Sequence, residues 1–308
     1  MSLRYYLDEA QNRWRKARFF KQADAILHTP VVTCASAGPM VLSMVHHRDV
    51  LTYLLAIKSF ARALPPSKVV VVADPTITPD DRKVLQQHVP GIEIRDAAEF
   101  RRPGVPVGGT WERLMAIACL SQDHYVIQLD ADTVTLADVS EVRECFVQNV
   151  SFTIGTGDLQ LPVPVGAAAR WARGMMKGLA QPHVQLLCEA QVCAAAAAGD
   201  ERKHYVRGCS GFAGFARQAI SEADVVALSE RMQAVLGEAW SRWGTEQFSS
   251  NYLIANAPGA VVLPHPMYTT PNRMGPYTVF VHFIGSQRFT SDAYLMALRN
   301  HLTSARAS

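Results

Sequence analysis

Two carboxylates one residue apart, Asp130 and Asp132, close the apolar run at 125–129. Such a pair just past a buried strand is a natural clamp for a hard divalent ion whose other ligands are phosphate oxygens. The strand buries Val126 and Leu129, and the turn through Ala131 carries both carboxylates to the carboxyl edge of a parallel sheet, where open α/β folds bind ligands. Aspartates also punctuate strand ends as plain turn residues, so the pair gains weight from what else the chain supplies.

Two further groups supply it. His282 emerges from the apolar run 279–281 and is followed by Gly285 and Arg288. An imidazole can ligate a divalent ion, a glycine lets backbone approach a pyrophosphate, and a guanidinium pairs with phosphate oxygens. Taken singly, these residues would be a core histidine, a turn and a surface charge. The third group is Glu246-Gln247 with Asn251, after the break Gly244-Thr245, where Thr245 is expected to cap a helix. Gln247 and Asn251 stand four apart on one helical face, and amides there can hydrogen-bond sugar hydroxyls. The plainer alternative is an amphipathic helix start with Glu246 in its favourable first turn. His46-His47 and His265 lack comparable support, because neighbours on a helix do not share a face and His265 lies between prolines.

The elements that must position these groups alternate. Strands are expected at 31–34, 68–73, 92–94 and 125–129, and helices at 50–63, 80–87 and 111–120. That alternation is the pattern of a mainly parallel sheet covered on both faces by helices, an α/β class. Asp138 with Glu141 reads as a capping box for a helix reaching Val147, which makes Asp138 a cap rather than a ligand. Beyond it, 161–166 holds two prolines and reads as a loop, with helical stretches at 167–179 and 184–198 forming a side wall or lid over 160–200. Strands at 204–206, 212–215, 261–263 and 278–283 and a helix at 222–240 complete the pattern.

At the amino end, residues 1–29 read as a basic amphipathic helix. Leu7, Ala10, Trp14, Ala17 and Phe20 form its apolar stripe, and Arg13, Arg15, Lys16, Arg18 and Lys21 crowd the rest. The stripe is expected to pack on the main domain, with peripheral attachment to anionic lipid as the alternative. Residues 30–300 read as one catalytic domain and 301–308 as a flexible tail.

The chain has 308 residues, 49% of them hydrophobic, enough for a core without staples. Its six cysteines lack Cys-x-x-Cys spacing and read as buried thiols in a reducing compartment. Thirty basic against 27 acidic side chains, a net charge of +3, is too balanced for a dedicated nucleic-acid surface. No basic stub with an apolar signal segment opens the chain, and no run of about 18 apolar residues appears that would span a bilayer. A soluble, cytoplasmic protein is expected.

With these islands in place, the chain resembles the GT-A glycosyltransferases, and in particular family 8, the relatives of glycogenin and bacterial lipopolysaccharide glycosyltransferases. Leu129-Asp130-Ala131-Asp132 matches the family's Asp-x-Asp. His282, Gly285 and Arg288 match its late His-x-x-Gly-x-x-Lys, with arginine in place of lysine. Arg113 in Trp111-Glu112-Arg113-Leu114 stands where a nucleotide-sugar-binding arginine does. Gly208-Cys209-Ser210-Gly211 resembles the Asn-Ser-Gly strand, and Glu246-Gln247 with Asn251 aligns with an Asp-Gln and its following asparagine.

The resemblance implies a GT-A-like nucleotide-diphospho-sugar transferase fold, a UDP-sugar donor and Mn2+, where the residues alone allow Mn2+ or Mg2+ with a nucleoside diphosphate. Asp130, Asp132 and His282 would hold the metal. Ala35, Ser36, Arg113, Asp130, Ala131, Asp132, Gly285 and Arg288 would meet the nucleotide sugar. Gln247, Glu246 and Arg288 are the candidate catalytic groups. The implied reaction moves a hexose to a hydroxyl acceptor, a saccharide or lipid-linked saccharide, with retention of configuration. Gln247 would face the oxocarbenium-like sugar, and the departing phosphate would take the acceptor's proton. An inverting enzyme would need a base such as Asp158 or Glu246. A sugar-phosphate nucleotidyltransferase should show a glycine-rich basic loop, but 35–40 has one glycine and no lysine. A noncatalytic nucleotide-sugar-binding protein is the remaining alternative.

Overall fold

A computed structural model describes residues 3–155, 161–196, 203–285 and 287–307. In chain order the elements are α1 (Leu3–Ala23), β1 (Met40–Val45), α2 (Val50–Ala63), β2 (Lys68–Ala73), α3 (Pro79–His88), β3 (Glu93–Asp96), α4 (Trp111–Leu120) and β4 (Val126–Leu129). Then follow β5 (Thr133–Thr135), α5 (Ser140–Gln148), β6 (Phe152–Gly155), β7 (Val163–Pro164), α6 (Val165–Met176), α7 (Val184–Ala190), β8 (His204–Tyr205) and β9 (Gly208–Phe215). The last are α8 (Glu222–Leu236), α9 (Thr245–Ala255), β10 (Val261–Leu263), β11 (Tyr268–Thr269), β12 (Phe280–His282) and α10 (Ala293–Ala307). The main sheet is mixed and mostly parallel, and helices flank it. No helix among the described residues is long and apolar enough to cross a membrane.

The chain divides into two compact units. The first takes Met1–Ile94, Leu129–Ser140 and Pro264–Ser308. Its β1 and β2 run parallel from Met40↔Lys68 to Val45↔Ala73. The four valines of β2 are all buried, as expected of a strand covered on both faces. Helix α2 returns from the carboxyl end of β1 and buries Tyr53, Leu54, Ile57 and Phe60. Thr78 caps α3 by accepting from the Asp81 N–H, in a reciprocal capping box with Pro79 at the first helical position. A small sheet places β12 between β11 and β5.

Three expectations fail in this unit. The first strand is Met40–Val45, not 31–34. Residue 32 is buried, but Val31, Thr33 and Cys34 are exposed. The ladder to β2 therefore selects the later run. The stripe on α1 faces outward: Leu7 and Trp14 are 55% and 58% exposed. The packed face is set instead by Phe19, 1% exposed and stacked on Tyr294 with centroids 4.2 Å apart. Residues 301–307 are the last turns of α10 rather than a flexible tail, held by buried His301 and Ala305.

The second unit takes Arg95–Gln128 and Glu141–Leu263. Here β6 pairs parallel with β10 and antiparallel with β9. Glycine is obligatory at two points of β9. A Cβ on Gly214 would lie 2.3 Å from Phe152 Cε1, and one on Gly208 would lie 2.5 Å from Thr153 Oγ1. Trp111 on α4 packs edge-on against Trp240, with centroids 5.3 Å apart. Ala172, Leu186 and Ala190 join α6 to α7 in a local core. The expected loop at 161–166 is in part the short strand β7, paired with β8, and α6 starts directly after Pro164. Of the six cysteines, Cys34 and Cys193 are exposed and Cys119 is half-buried, so the expectation of uniformly buried thiols holds only for Cys145, Cys188 and Cys209.

Candidate functional site

Strand β4 ends at Leu129, and the chain turns at once into β5. The turn is tight because the Asp130 carbonyl accepts from both the Thr133 N–H, at 3.2 Å, and the Thr133 hydroxyl, at 2.8 Å. β5 then pairs antiparallel with β12, with His282 opposite Thr133, and the Phe283 N–H donates to the Asp132 carbonyl at 2.8 Å. This register delivers the imidazole to the carboxylates. His282 Nε2 lies 3.0 Å from Asp132 Oδ1 and 3.9 Å from Asp130 Oδ2.

Asp130, Asp132 and His282 each offer one ligand atom, all within 4.8 Å of one another. They form the one such group found among the described residues. Two carboxylates and an imidazole form an oxygen-rich set with one borderline nitrogen, which suits Mn2+ or Mg2+ better than a soft metal.

Arg288 completes this cluster. Its Nη2 donates to Asp132 Oδ2, and its Nε donates to the Phe283 carbonyl at 3.1 Å. Its Nη1 stands 3.9 Å from Asp49 Oδ1, too far for a hydrogen bond, which leaves donors for an incoming anion. Burial pushes the Asp132 carboxyl up, but His282 and Arg288 outweigh it and hold the group well below the ordinary carboxylate range. The guanidinium is in turn held more firmly protonated, because Asp132 outweighs the effect of burial.

Sequence reasoning missed Asp49 and the pair His46–Asp74. His46 follows β1 directly, with Nε2 3.3 Å from Asp74 Oδ2 at the end of β2 and Nδ1 3.6 Å from Asp49 Oδ2. Their signal was position: both follow apolar runs that become parallel strands. Misplacing β1 hid it. The same error affects Ala35 and Ser36, which precede β1 and so lie toward its amino end, where the Ala35 N–H donates to the Pro66 carbonyl at 2.8 Å. The carboxyl edge that carries Asp130 is the other end of the strands. Gly285 adjoins this segment, and no atom lies within 4 Å of where its Cβ would be. Ser286 lies outside the described residues.

The second unit gathers a different set. Arg113 Nη2 donates to Glu246 Oε2 at 3.0 Å and to Ser210 Oγ at 3.4 Å, and the Thr110 hydroxyl donates to the same Glu246 oxygen at 2.9 Å. The side chains of Arg113 and Glu246 are 4% and 2% exposed, so the pair is buried. Thr245 does not cap α9. Gly244 does so at φ 106°, while the Thr245 hydroxyl accepts from Trp111 Nε1 at 3.1 Å.

Gln247 is half-buried and fixed by Gln185. Its Nε2 donates to Gln185 Oε1 at 3.0 Å, and Gln185 Nε2 donates to Glu189 Oε1 at 3.1 Å. The Tyr205 hydroxyl donates to the same Glu189 oxygen at 2.9 Å. Burial raises the Glu189 carboxyl above its ordinary range, with Arg207, Tyr205 and Gln185 opposing. Asn251 is fully buried and donates to the Gly208 carbonyl at 3.0 Å, so it braces β9 rather than sharing a sugar-facing surface with Gln247. Nothing in the sequence pattern marked Gln185 or Glu189, since 184–190 reads simply as a helix.

The fold is GT-A-like. Similar solved structures are WbbM, a bifunctional glycosyltransferase (14% identity, 91% of this chain and 53% of that chain, TM-score 0.52), and mouse xyloside xylosyltransferase 1 (12%, 82% and 99%, 0.47). A third is the galactosyltransferase LgtC with donor and acceptor sugar analogues (13%, 86% and 95%, 0.46). The chain spans about half the length of WbbM, whose TM-score carries the comparison, and at such identities the likeness is one of fold alone. No protein-family model matches the chain, and no curated protein matches its sequence.

Proposed function

We propose that this chain is a metal-dependent glycosyltransferase that moves a hexose from a UDP-sugar to a hydroxyl acceptor, a saccharide or lipid-linked saccharide, with retention of anomeric configuration. The observation that carries the proposal is the Asp130–Asp132–His282 group, with Arg288 beside it, directly after β4 of a GT-A-like fold. Asp130, Asp132 and His282 would hold Mn2+ or Mg2+, which would supply charge stabilisation to a departing diphosphate. The free N–H groups of Arg288 hold its oxygens, and Gly285 leaves backbone open to them. Ala131 and Arg113 are further donor contacts in this reading, whereas Ala35 and Ser36 drop out of it by position. Gln247, whose amide Gln185 orients, is the group assigned to the oxocarbenium-like face of the sugar.

The retaining route needs no protein base, because the acceptor's proton passes to the departing phosphate. Burial of Glu246 in its pair with Arg113 counts against the inverting alternative that would use it as a base. Asp158, the other base considered, lies outside the described residues. A cytoplasmic location with peripheral membrane contact also belongs to this proposal, and outward-facing Leu7 and Trp14 beside Arg13 are the surface it would use.

Incubation with Mn2+ and a panel of nucleotide sugars is expected to give thermal stabilisation and slow hydrolysis with one UDP-hexose, the product sugar keeping its anomeric configuration by NMR. Response only to a nucleoside triphosphate with a sugar phosphate would instead establish a nucleotidyltransferase, and binding without turnover a noncatalytic receptor. Arg288→Ala should weaken a nucleoside diphosphate by about 10- to 100-fold, the range of a charged hydrogen bond, and leave the bare nucleoside nearly unaffected. Calorimetric titration of both ligands checks this, and equal losses would remove Arg288 from phosphate binding.

A further inference from the structure

A cavity of about 330 Å³ lies in the first unit, near the small end of the ~300–1,000 Å³ typical of ligand pockets. Its walls are Pro30, Val31, Val32 and Pro65, and its polar groups include Lys58, Arg62 and His301. Lys58 and Arg62 belong to the last turns of α2, whose first turn follows Asp49. At about 1.5 Å per helical residue, Arg62 is therefore roughly 20 Å along the helix from Asp49 and the metal group. No lining residue is an Asp or Glu.

The three basic groups differ in how far they are satisfied. The Lys58 ammonium is fully engaged by neutral acceptors: the carbonyls of Ile26 and Thr29, both at 3.2 Å, the Thr29 hydroxyl at 2.9 Å and His88 Nδ1 at 3.1 Å. It pins the 29–33 wall and contributes field rather than a free donor. Burial lowers its pKa to about 8, which leaves it mostly protonated at neutral pH. Arg62 is exposed and has no ion-pair or hydrogen-bond partner among the described residues. His301 is 7% exposed and likewise has no such partner among them.

His301 lines the cavity and neither of its ring nitrogens is a sealed, unsatisfied atom, so the ring can offer a hydrogen bond to a guest. Burial first, then Arg62 and Lys58, push the His301 pKa down to about 4, so the ring sits neutral in a positive field with no carboxylate to answer it. Positive potential, a ring donor on the cavity wall and apolar walls together describe one kind of guest.

We propose that this cavity binds a small organic anion, a carboxylate or phosphate monoester on a short apolar body, with its head group on His301 and Arg62 and its body against Val31, Val32 and Pro65. Lys58 adds long-range attraction. The site is separate from the metal group and does not depend on the glycosyltransferase proposal.

The test uses the full chain in metal-free buffer with hexanoate, hexyl phosphate, hexanol and inorganic phosphate, read by calorimetry and by the imidazole NMR signals, with His301→Gln identifying the ring. Hexanoate or hexyl phosphate should bind at one site and move the His301 resonance, with hexanol and inorganic phosphate at least about tenfold weaker. Arg62→Gln, a change at an exposed position that keeps the core intact, should weaken the anions by about tenfold and leave hexanol unchanged. Equal binding of hexanol, unchanged anion affinity in Arg62→Gln, or a stationary His301 signal at millimolar hexanoate would each overturn the proposal.

Discussion

Asp132→Asn is expected to fold and to lose metal-dependent donor turnover by at least about 100-fold, several kcal/mol of transition-state stabilisation. The substitution keeps the shape of the side chain and removes the charge on which His282 and Arg288 converge. The backbone part of the turn is untouched, because the Asp132 carbonyl and the Thr133–Asp130 bonds do not involve this side chain. Asp49 still stands near Arg288 as a counter-charge. Rates at limiting Mn2+, beside a circular-dichroism melt, decide the matter: turnover equal to wild type would remove Asp132 from the metal group.

The same substitution has a pH signature. The folded pKa of Asp132 is depressed, so its carboxylate adds stability that is complete above the ordinary value of about 3.9 and is lost as pH falls through the folded value. Asp132→Asn should therefore show a shallower acid limb in a stability–pH profile.

Glu246→Ala is expected to destabilise the second unit by about 3–5 kcal/mol, the cost of leaving a buried charge without its partner. Arg113 would keep the Ser210 hydroxyl, at 3.4 Å, but lose its buried carboxylate. Replacing both residues with apolar side chains of similar volume, Arg113→Met with Glu246→Leu, should recover much of that loss. Urea denaturation of the two single variants and the double variant measures the coupling. A Glu246→Ala protein as stable as wild type but catalytically dead would reverse the assignment and return Glu246 to the role of base.

Much of the metal group was legible because its signals are local. Asp130 and Asp132 follow an apolar run that can only be a strand, and His282 follows another, so each announces itself at a strand end. Helices α2 and α4 and strands β2 and β10 fall where apolar periodicity puts them. What periodicity could not decide was competition between similar runs. Residues 31–34 and Met40–Val45 are both short and apolar, and only the ladder to β2 chooses between them. The face of α1 was misjudged for a related reason: its stripe is real, but the aromatic ring of Tyr294, distant in sequence, recruits Phe19 instead. The Gln247–Gln185–Glu189 chain joins residues about 60 apart through tertiary packing, which leaves no trace in spacing.

The ladder between β5 and β12 also sets when the metal group can exist. Asp132 and His282 are separated by 150 residues, so at ~5–20 residues per second the imidazole is synthesised roughly 8–30 s after the carboxylate it meets. During that interval β1, β2 and β4 are already available as polypeptide, while β5 waits for β12, with which it pairs antiparallel. Until then Asp130 and Asp132 lack the imidazole that completes the group. The candidate metal group therefore becomes complete only once β12 has been made.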